Sequence, residues 1–279
     1  MLVFVNGQFV AEEQATIPVY DRGFLYGDGL FETIRIHNSR PFQWKQHLAR
    51  LEGGAAWLKI ALSMTQEELL RVAQELIRLN GRPEALLRLN LSRGVGLRGY
   101  SPKGANSPCI VLSLHDVPWT DPLRPPGWRL VTAAFPMPAH VPLTQFKTCN
   151  KLLQVLARAE ADAAGAQETL LLDSGGCALE TTAANIFWVD GREVCTPPST
   201  GSILPGITRS LILELARTLD LVPQEKPIDR NALFETDGVF LTLSSMGIAE
   251  AVSLDGRNLP RSPATQTLYG AYIQALNSL

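Results

Sequence analysis

The sequence predicts a mixed α/β protein of two domains. Three observations carry that expectation: the length, a seam dense in proline, and alternating apolar runs interleaved with helical ones on both sides of the seam. The chain has 279 residues, and single domains typically run to about 100–200. Pro118, Pro122, Pro125 and Pro126 crowd one short stretch. Proline fits neither a helix interior nor a central strand, so 116–128 reads as a semi-rigid linker. It separates an N-terminal α/β domain at 1–115 from a C-terminal domain at 129–279.

In the first domain, Asn6-Gly7 between two apolar runs predicts a hairpin over 2–10, because both residues tolerate positive φ. A strand runs through Phe31–Ile36, and a helix over about 43–59 follows. The next helix opens at Thr65, with Glu68 three residues on as a capping box, and stops at Gly81. Alternating strands near 85–92 and 109–114 complete the domain. Two adjacent helices do not fit a strict βαβ alternation.

Beyond the linker, a strand is expected over about 129–134 and a helix from Thr148 to about Ala164. Gly175-Gly176 and Asp190-Gly191 are turn pairs joining strands at 168–173, 184–189 and 192–196. Leu204-Pro205-Gly206-Ile207-Thr208 opens a helix reaching about Leu219. Strands near 239–243 and 249–253 follow, and Ser262-Pro263 starts a C-terminal helix as N-cap and first residue.

Composition narrows the function. Hydrophobic residues at 46% and charged residues at 19% exclude long disorder. A formal charge of −2 removes the basic excess that nucleic acid binding needs. No stretch approaches the ~18 apolar residues of a membrane span, and the N-terminus lacks the charged start of a secretory signal. Scattered Cys109, Cys149, Cys177 and Cys195 read as thiols in a reducing, cytoplasmic setting, with no disulfide framework and no metal set. The four histidines, His140 among them, have no neighbours at triad or ligand spacing. What remains is a protein that acts on small molecules.

Lysine is scarce enough, six against nineteen arginines, for each to be weighed. Lys147 and Lys151 flank the predicted helix start in Gln145–Lys151 and would share one helix turn. A neighbouring cation lowers an amine's proton affinity, as a Schiff-base lysine requires; a solvated basic helix start is the plainer alternative. Gly206 to Thr208 place a glycine and a hydroxyl at a helix N-terminus, where unpaired N–H groups and the helix dipole favour an anion; plain capping by Thr208 is the alternative there. Glu180 follows the Gly-Gly turn and precedes a small-residue run leading into an apolar strand. It is either exposed or a buried carboxylate that needs a partner.

Taken in order, these stretches resemble the class IV, or fold type IV, aminotransferases that use pyridoxal 5′-phosphate. That group includes branched-chain and D-amino-acid transaminases and 4-amino-4-deoxychorismate lyase. The resemblance covers nearly the whole chain: Asp21–Thr33, His47–Leu51, Phe146–Asn150, Glu180–Phe187, Thr196-Pro197, Leu204–Arg209 and Leu243–Gly247. It implies two α/β domains with the cofactor at their interface, in a homodimer. It also implies Lys147 as the lysine bonded to the cofactor and, once freed, the proton shuttle. Glu180 would face the pyridine nitrogen, Arg50 the phosphate, with Gly206, Ile207 and Thr208 as the helix-start cradle and Ser244 and Ser245 as a second phosphate-side loop.

Phe31, Arg98 and Tyr100 are the implied substrate contacts. The stretch Ser92–Ser101 resembles the loop from which some members clamp a substrate carboxylate, and its Arg-Gly-Tyr-Ser form looks most like the deoxychorismate lyases. Many transaminases of the family carry a tyrosine four or five residues after the lysine; here Lys151 and Leu152 stand there. The resemblance therefore implies a 4-amino-4-deoxychorismate lyase releasing pyruvate and 4-aminobenzoate. A transaminase of branched-chain or D-amino acids is the alternative, and a non-catalytic small-molecule binder the remote one.

Overall fold

The computed structural model describes residues 1–138, 141–200 and 202–278; His140 and the last residue of the expected second domain lie outside them. Two compact units emerge. One is Met1–Val117 with Phe146–Asn150, the other Pro118–Gln145 with Lys151–Ser278. Among the described residues no helix is long and apolar enough to cross a membrane.

The first unit is an antiparallel sheet with helices packed on it. Its strands are β1 (Leu2–Val5), β2 (Gln8–Ala11), β3 (Gly29–His37), β4 (Arg40–Pro41), β5 (Ala85–Ser92) and β6 (Cys109–His115), in the order β2-β1-β6-β5-β3-β4. Helices are α1 (Arg22–Tyr26), α2 (Trp44–Leu58) and α3 (Gln66–Asn80). The period-2 rule sorts β3 cleanly. Leu30, Ile34 and Ile36 join Leu87, Leu89 and Leu91 of β5 in a core closed by Leu48 and Leu51 of α2 and Leu69, Ala73 and Leu76 of α3. Burying each such leucine or isoleucine contributes about 1.5–3 kcal/mol. Phe31 and Thr33 point to the other sheet face, across from Asn90 and Arg88.

The hairpin, the long strands and both long helices stand where the sequence predicts them, and the Thr65–Glu68 capping box forms in both directions. α1 is absent from the sequence reading: five residues carry too little periodicity to register. Arg93 crosses to the C-terminal end of α2, donating to the carbonyls of Leu58 and Lys59 (2.8 and 2.9 Å) while its other donors meet Asp28.

The second unit is a curled sheet. It comprises β7 (Gly127–Thr132), β8 (Glu168–Leu172), β9 (Ala178–Thr181), β10 (Asn185–Asp190), β11 (Glu193–Thr196), β12 (Val222–Glu225), β13 (Gly238–Leu243), β14 (Gly247–Leu254) and β15 (Arg257–Asn258). The order runs β12-β11-β10-β13-β14-β7-β8-β9, and β9 then pairs back onto β10, closing a ring of six strands at the single register pair Asn185↔Glu180. Asn185 to Val189 are buried without a break, as expected of a strand covered on both faces. The helices are α4 (Leu152–Ala163), α5 (Ile207–Thr218) and α6 (Pro263–Asn277), the last opened by Ser262 and Pro263 as read from sequence.

Two expectations need correction. The strand expected over 129–134 begins at Gly127, two residues inside the predicted linker, because Gly127 and Trp128 pair with Glu250 and Ala251 of β14. The helix expected from Thr148 begins only at Leu152. Residues 147–149 are instead captured as an extra partner of β3: the Phe31 N–H donates to Lys147 O and the Cys149 N–H to Gly29 O, both at 2.9 Å, with a bridge between Leu30 and Thr148. Lys147 and Lys151 consequently do not share a helix turn.

Candidate active site

In the first unit this strand-like capture aims Lys147 across the outer face of β3. Its Nζ lies 4.6 Å from the centroid of the Phe31 ring. Asn150 anchors the far end of the segment, its Nδ2 donating to Gly27 O at 2.9 Å. The same Phe31 ring carries the guanidinium of Arg88, whose Cζ is 3.4 Å from the centroid. Arg88 reaches Asn90 Oδ1 (3.2 Å) and Thr33 Oγ1 (3.4 Å) but forms no ion pair among the described residues. Burial pushes its proton affinity down, and the Cys149 and Glu32 charges offset only part of that. Sequence reading passed over Arg88; its signal was an arginine alternating with leucines in a core strand.

Behind β3, on the helix side, Glu32 is wholly buried in line with Leu30 and Ile34. Its carboxylate accepts from Arg50 Nε at 2.8 Å and Nη2 at 2.7 Å, and pairs with His47 Nδ1 at 2.7 Å. Burial alone would raise the Glu32 pKa, yet the Arg50 charge and the bonds from His47 and Arg50 bring it to about 2. His47 is held below its ordinary value, first by burial and then by the Arg50 and Lys147 charges, against the pull of Glu32. Arg50 lies on α2, within the helix expected over about 43–59; its carboxylate partner was missed. A glutamate in phase with core residues was the available sign.

Arg98 and Tyr100 lie on the exposed loop after β5. Gly94–Gly99 has the G-x-G-x-x-G spacing and follows a strand. No helix follows it, so the helix N-terminus that makes that motif a pyrophosphate site is missing. The loop is instead pinned by buried Arg22, which donates to the carbonyls of Gly99, Tyr100 and Ser101 at 2.9–3.1 Å.

In the second unit Glu180 of β9 and Asn185 of β10 face each other. Glu180 Oε2 accepts from Leu204 N (3.0 Å) and Asn185 Nδ2 (3.2 Å), and Asn185 Nδ2 also donates to Leu204 O (2.9 Å). α5 begins at Ile207 with Gly206 as N-cap, no side-chain cap and no acid in its first turn; Thr208 is buried there. Plain capping by Thr208 is thus not what this helix start uses. Ser244 and Ser245 sit half-buried in the turn between β13 and β14. Lys151 is the half-buried residue immediately before α4.

The class IV amino-transferase family model matches residues 29–254, a span that contains both constellations. The chain belongs to the class IV aminotransferase family. A putative branched-chain-amino-acid aminotransferase of Methanocaldococcus jannaschii is 36% identical, over 92% of this chain and 89% of its own length. Aminodeoxychorismate lyase of Bacillus subtilis is 29% identical, over 96% and 93%. Among solved structures, a T.th. branched-chain amino acid aminotransferase with pyridoxamine 5′-phosphate superposes with a TM-score of 0.90 at 28% identity, covering 99% of this chain and 94% of that one.

As a class IV aminotransferase-family enzyme, the protein uses pyridoxal phosphate and has the mixed α/β fold type IV architecture. The residues present fit that group. The start of α5 presents a helix N-terminus with no side-chain cap and no acidic residue in its first turn, which suits a phosphate. A Cβ on Gly206 would come within 2.0 Å of Asn185 Oδ1, so the backbone there is bare by necessity.

Proposed function

We propose that the protein is a pyridoxal-phosphate-dependent lyase acting on 4-amino-4-deoxychorismate, releasing pyruvate and 4-aminobenzoate, a folate precursor. The observation that carries the lyase over a transaminase is the segment after the site lysine. Lys151 and Leu152 stand where the resemblance puts a phenol in many transaminases, and the Arg98-Gly99-Tyr100-Ser101 loop agrees with it.

The chain's own residues divide the work. Lys147 is the amine that would hold the cofactor, and its free Nζ would take the proton from the amino-bearing carbon of the substrate. Cleavage of the ring C–O bond, with a proton added to the enolpyruvyl methylene, would release pyruvate, and the pair from the deprotonated carbon would complete the aromatic ring. Glu180, carrying two N–H donors on Oε2, would face the ring nitrogen. Gly206, Ile207 and Thr208 would receive the phosphate, with Arg50, held rigid by Glu32, and Ser244 and Ser245 on the second loop. Bound pyridoxal phosphate supplies the electron sink for the pair left at the deprotonated carbon. Phe31 walls the amine, and Arg88, a partly desolvated cation with no carboxylate partner among the described residues, takes a substrate carboxylate. Arg98 and Tyr100 are the outer substrate contacts.

The exposed apolar residues Phe24, Leu97 and Tyr100 in the first unit, and Leu152, Val155 and Leu156 in the second, support a homodimer that covers them. Sedimentation of the loaded enzyme checks this, and a monomer at working concentration would count against it. The cytoplasm is the proposed compartment.

Transamination between a branched-chain or D-amino acid and a 2-oxo acid is the second reading, favoured by the 36% identity to the archaeal relative. One panel on the cofactor-loaded protein separates the two. Pyruvate release from aminodeoxychorismate without an acceptor supports the lyase; 2-oxoglutarate-dependent amino transfer from leucine or D-alanine, with no such release, replaces it.

A further inference from the structure

Asn185 is the first residue of β10, one twentieth exposed, and one amide group there meets three separate things. One hydrogen of Nδ2 goes to Glu180 Oε2 and the other to the Leu204 carbonyl. The Leu204 N–H returns to the same Glu180 oxygen at 3.0 Å, so carboxylate, amide and loop peptide form a closed triangle. Two acceptors on the nitrogen side fix which way the amide points. Its oxygen then lies against Gly206, where an added Cβ would approach to 2.0 Å.

Gly206 has φ −69° and ψ 137°, a conformation open to any residue. Backbone freedom is therefore not why glycine stands there; the closeness of Asn185 is. The amide that holds the carboxylate thus also sets how near the first turn of α5 lies to it. Strand pairing does not depend on this amide, because the backbone of β10 is laddered to β13 on one side and meets β9 on the other. Thr242, opposite Asn185 in β13, leaves its buried Oγ1 unbonded rather than engaging it.

We propose that Asn185 is a positioning residue that locks Glu180 and the start of α5 into one hydrogen-bonded frame, so that the ring-nitrogen end and the phosphate end of the cofactor site keep a fixed spacing. This rests on the reading of Glu180 and Thr208 as cofactor contacts. Removing the Nδ2 donor frees the carboxylate to rotate and takes a donor from its ionised form, which raises its proton affinity. An aspartate there would set a second carboxylate against Glu180, a larger disturbance of the same kind.

The test compares N185A, N185D, G206A, E180Q and the E180Q/N185A double variant. Each is measured for pyridoxal phosphate affinity and for the midpoint of the pH titration of the bound cofactor's visible band. Asn185 variants are expected to bind the cofactor roughly ten- to hundredfold more weakly, the range for a hydrogen bond to a charged group. N185A should move the midpoint in the direction E180Q moves it, and should add nothing to E180Q. G206A, which pushes the amide aside without altering its chemistry, should move the midpoint the same way, and keeps the proposal testable if N185A fails to fold. A midpoint moved by E180Q but left in place by N185D and G206A overturns the positioning role alone. A midpoint that E180Q also leaves in place overturns the assignment of Glu180, and the proposal with it.

Discussion

Glu32 and Arg50 meet in the core of the first unit through two hydrogen bonds, Nε to Oε1 at 2.8 Å and Nη2 to Oε2 at 2.7 Å. Glu32 is fully buried and Arg50 nearly so. Such a fork fixes the guanidinium plane, and His47 on the same carboxylate completes the arrangement. Charges buried this deeply cost several kcal/mol each unless paired. The pair is therefore an obligation of the fold as well as a support for Arg50.

Acid should find this cluster first. Glu32 has a pKa of about 2 against an ordinary 4.5, so its contribution, of order 3 kcal/mol, is complete above about pH 4.5 and lost as pH falls toward 2. His47 is also held below its ordinary 6.5. Protons then favour the unfolded chain, and stability starts to fall as pH drops below 6.5. Urea midpoints measured from pH 7 to 3 should decline for the natural chain and decline less steeply for E32Q, which will start from a lower value. Parallel curves would remove Glu32 as the origin of the acid sensitivity.

Lys147→Ala should reduce turnover by at least about a thousandfold, the scale of a lost general base, and borohydride should no longer fix the cofactor to the chain. Peptide mass mapping reads the second effect independently of any substrate. Melting temperature should change little, because the Phe31 and Gly29 bonds that hold this segment are made by backbone.

Arg88→Ala tests the carboxylate contact. KM for the carboxylated amine should rise roughly tenfold or more, as loss of a charge-assisted hydrogen bond implies, while pyridoxal phosphate affinity stays put. An unchanged KM, or a fall in cofactor affinity of the same size, would move Arg88 out of the substrate role.

Gly247, at the end of the turn that carries Ser244 and Ser245, offers a stability test. It has φ +79°, and a Cβ would lie 2.2 Å from the ring of Tyr272, a buried residue of α6. Gly247→Ala combines left-handed strain with overpacking, at about 3 kcal/mol together. Calorimetry should show a fall of roughly 6–12 °C in Tm. A shift under about 2 °C would mean that α6 moves aside at little cost.

Most elements were legible because their causes are local. Alternation places Leu30, Ile34 and Ile36 on one face, a capping box starts α3, and Ser262-Pro263 starts α6. β9 was not foreseen: four residues with one outward glutamate become a strand only because β8 and β10 are there to pair with. The same holds for Lys147, whose neighbours favour a helix locally until the open start of β3 captures them.

From the chain alone came the family, and with it the expectations for Lys147, Glu180 and the opening of α5, since short motifs and their order are properties of sequence. Only the folded molecule decided that Glu32 holds Arg50, that Arg88 shares the Phe31 ring with Lys147, and that Asn185 ties Glu180 to Leu204. Each of these joins residues on different strands or loops, and one residue of register would turn any of the side chains to the opposite face.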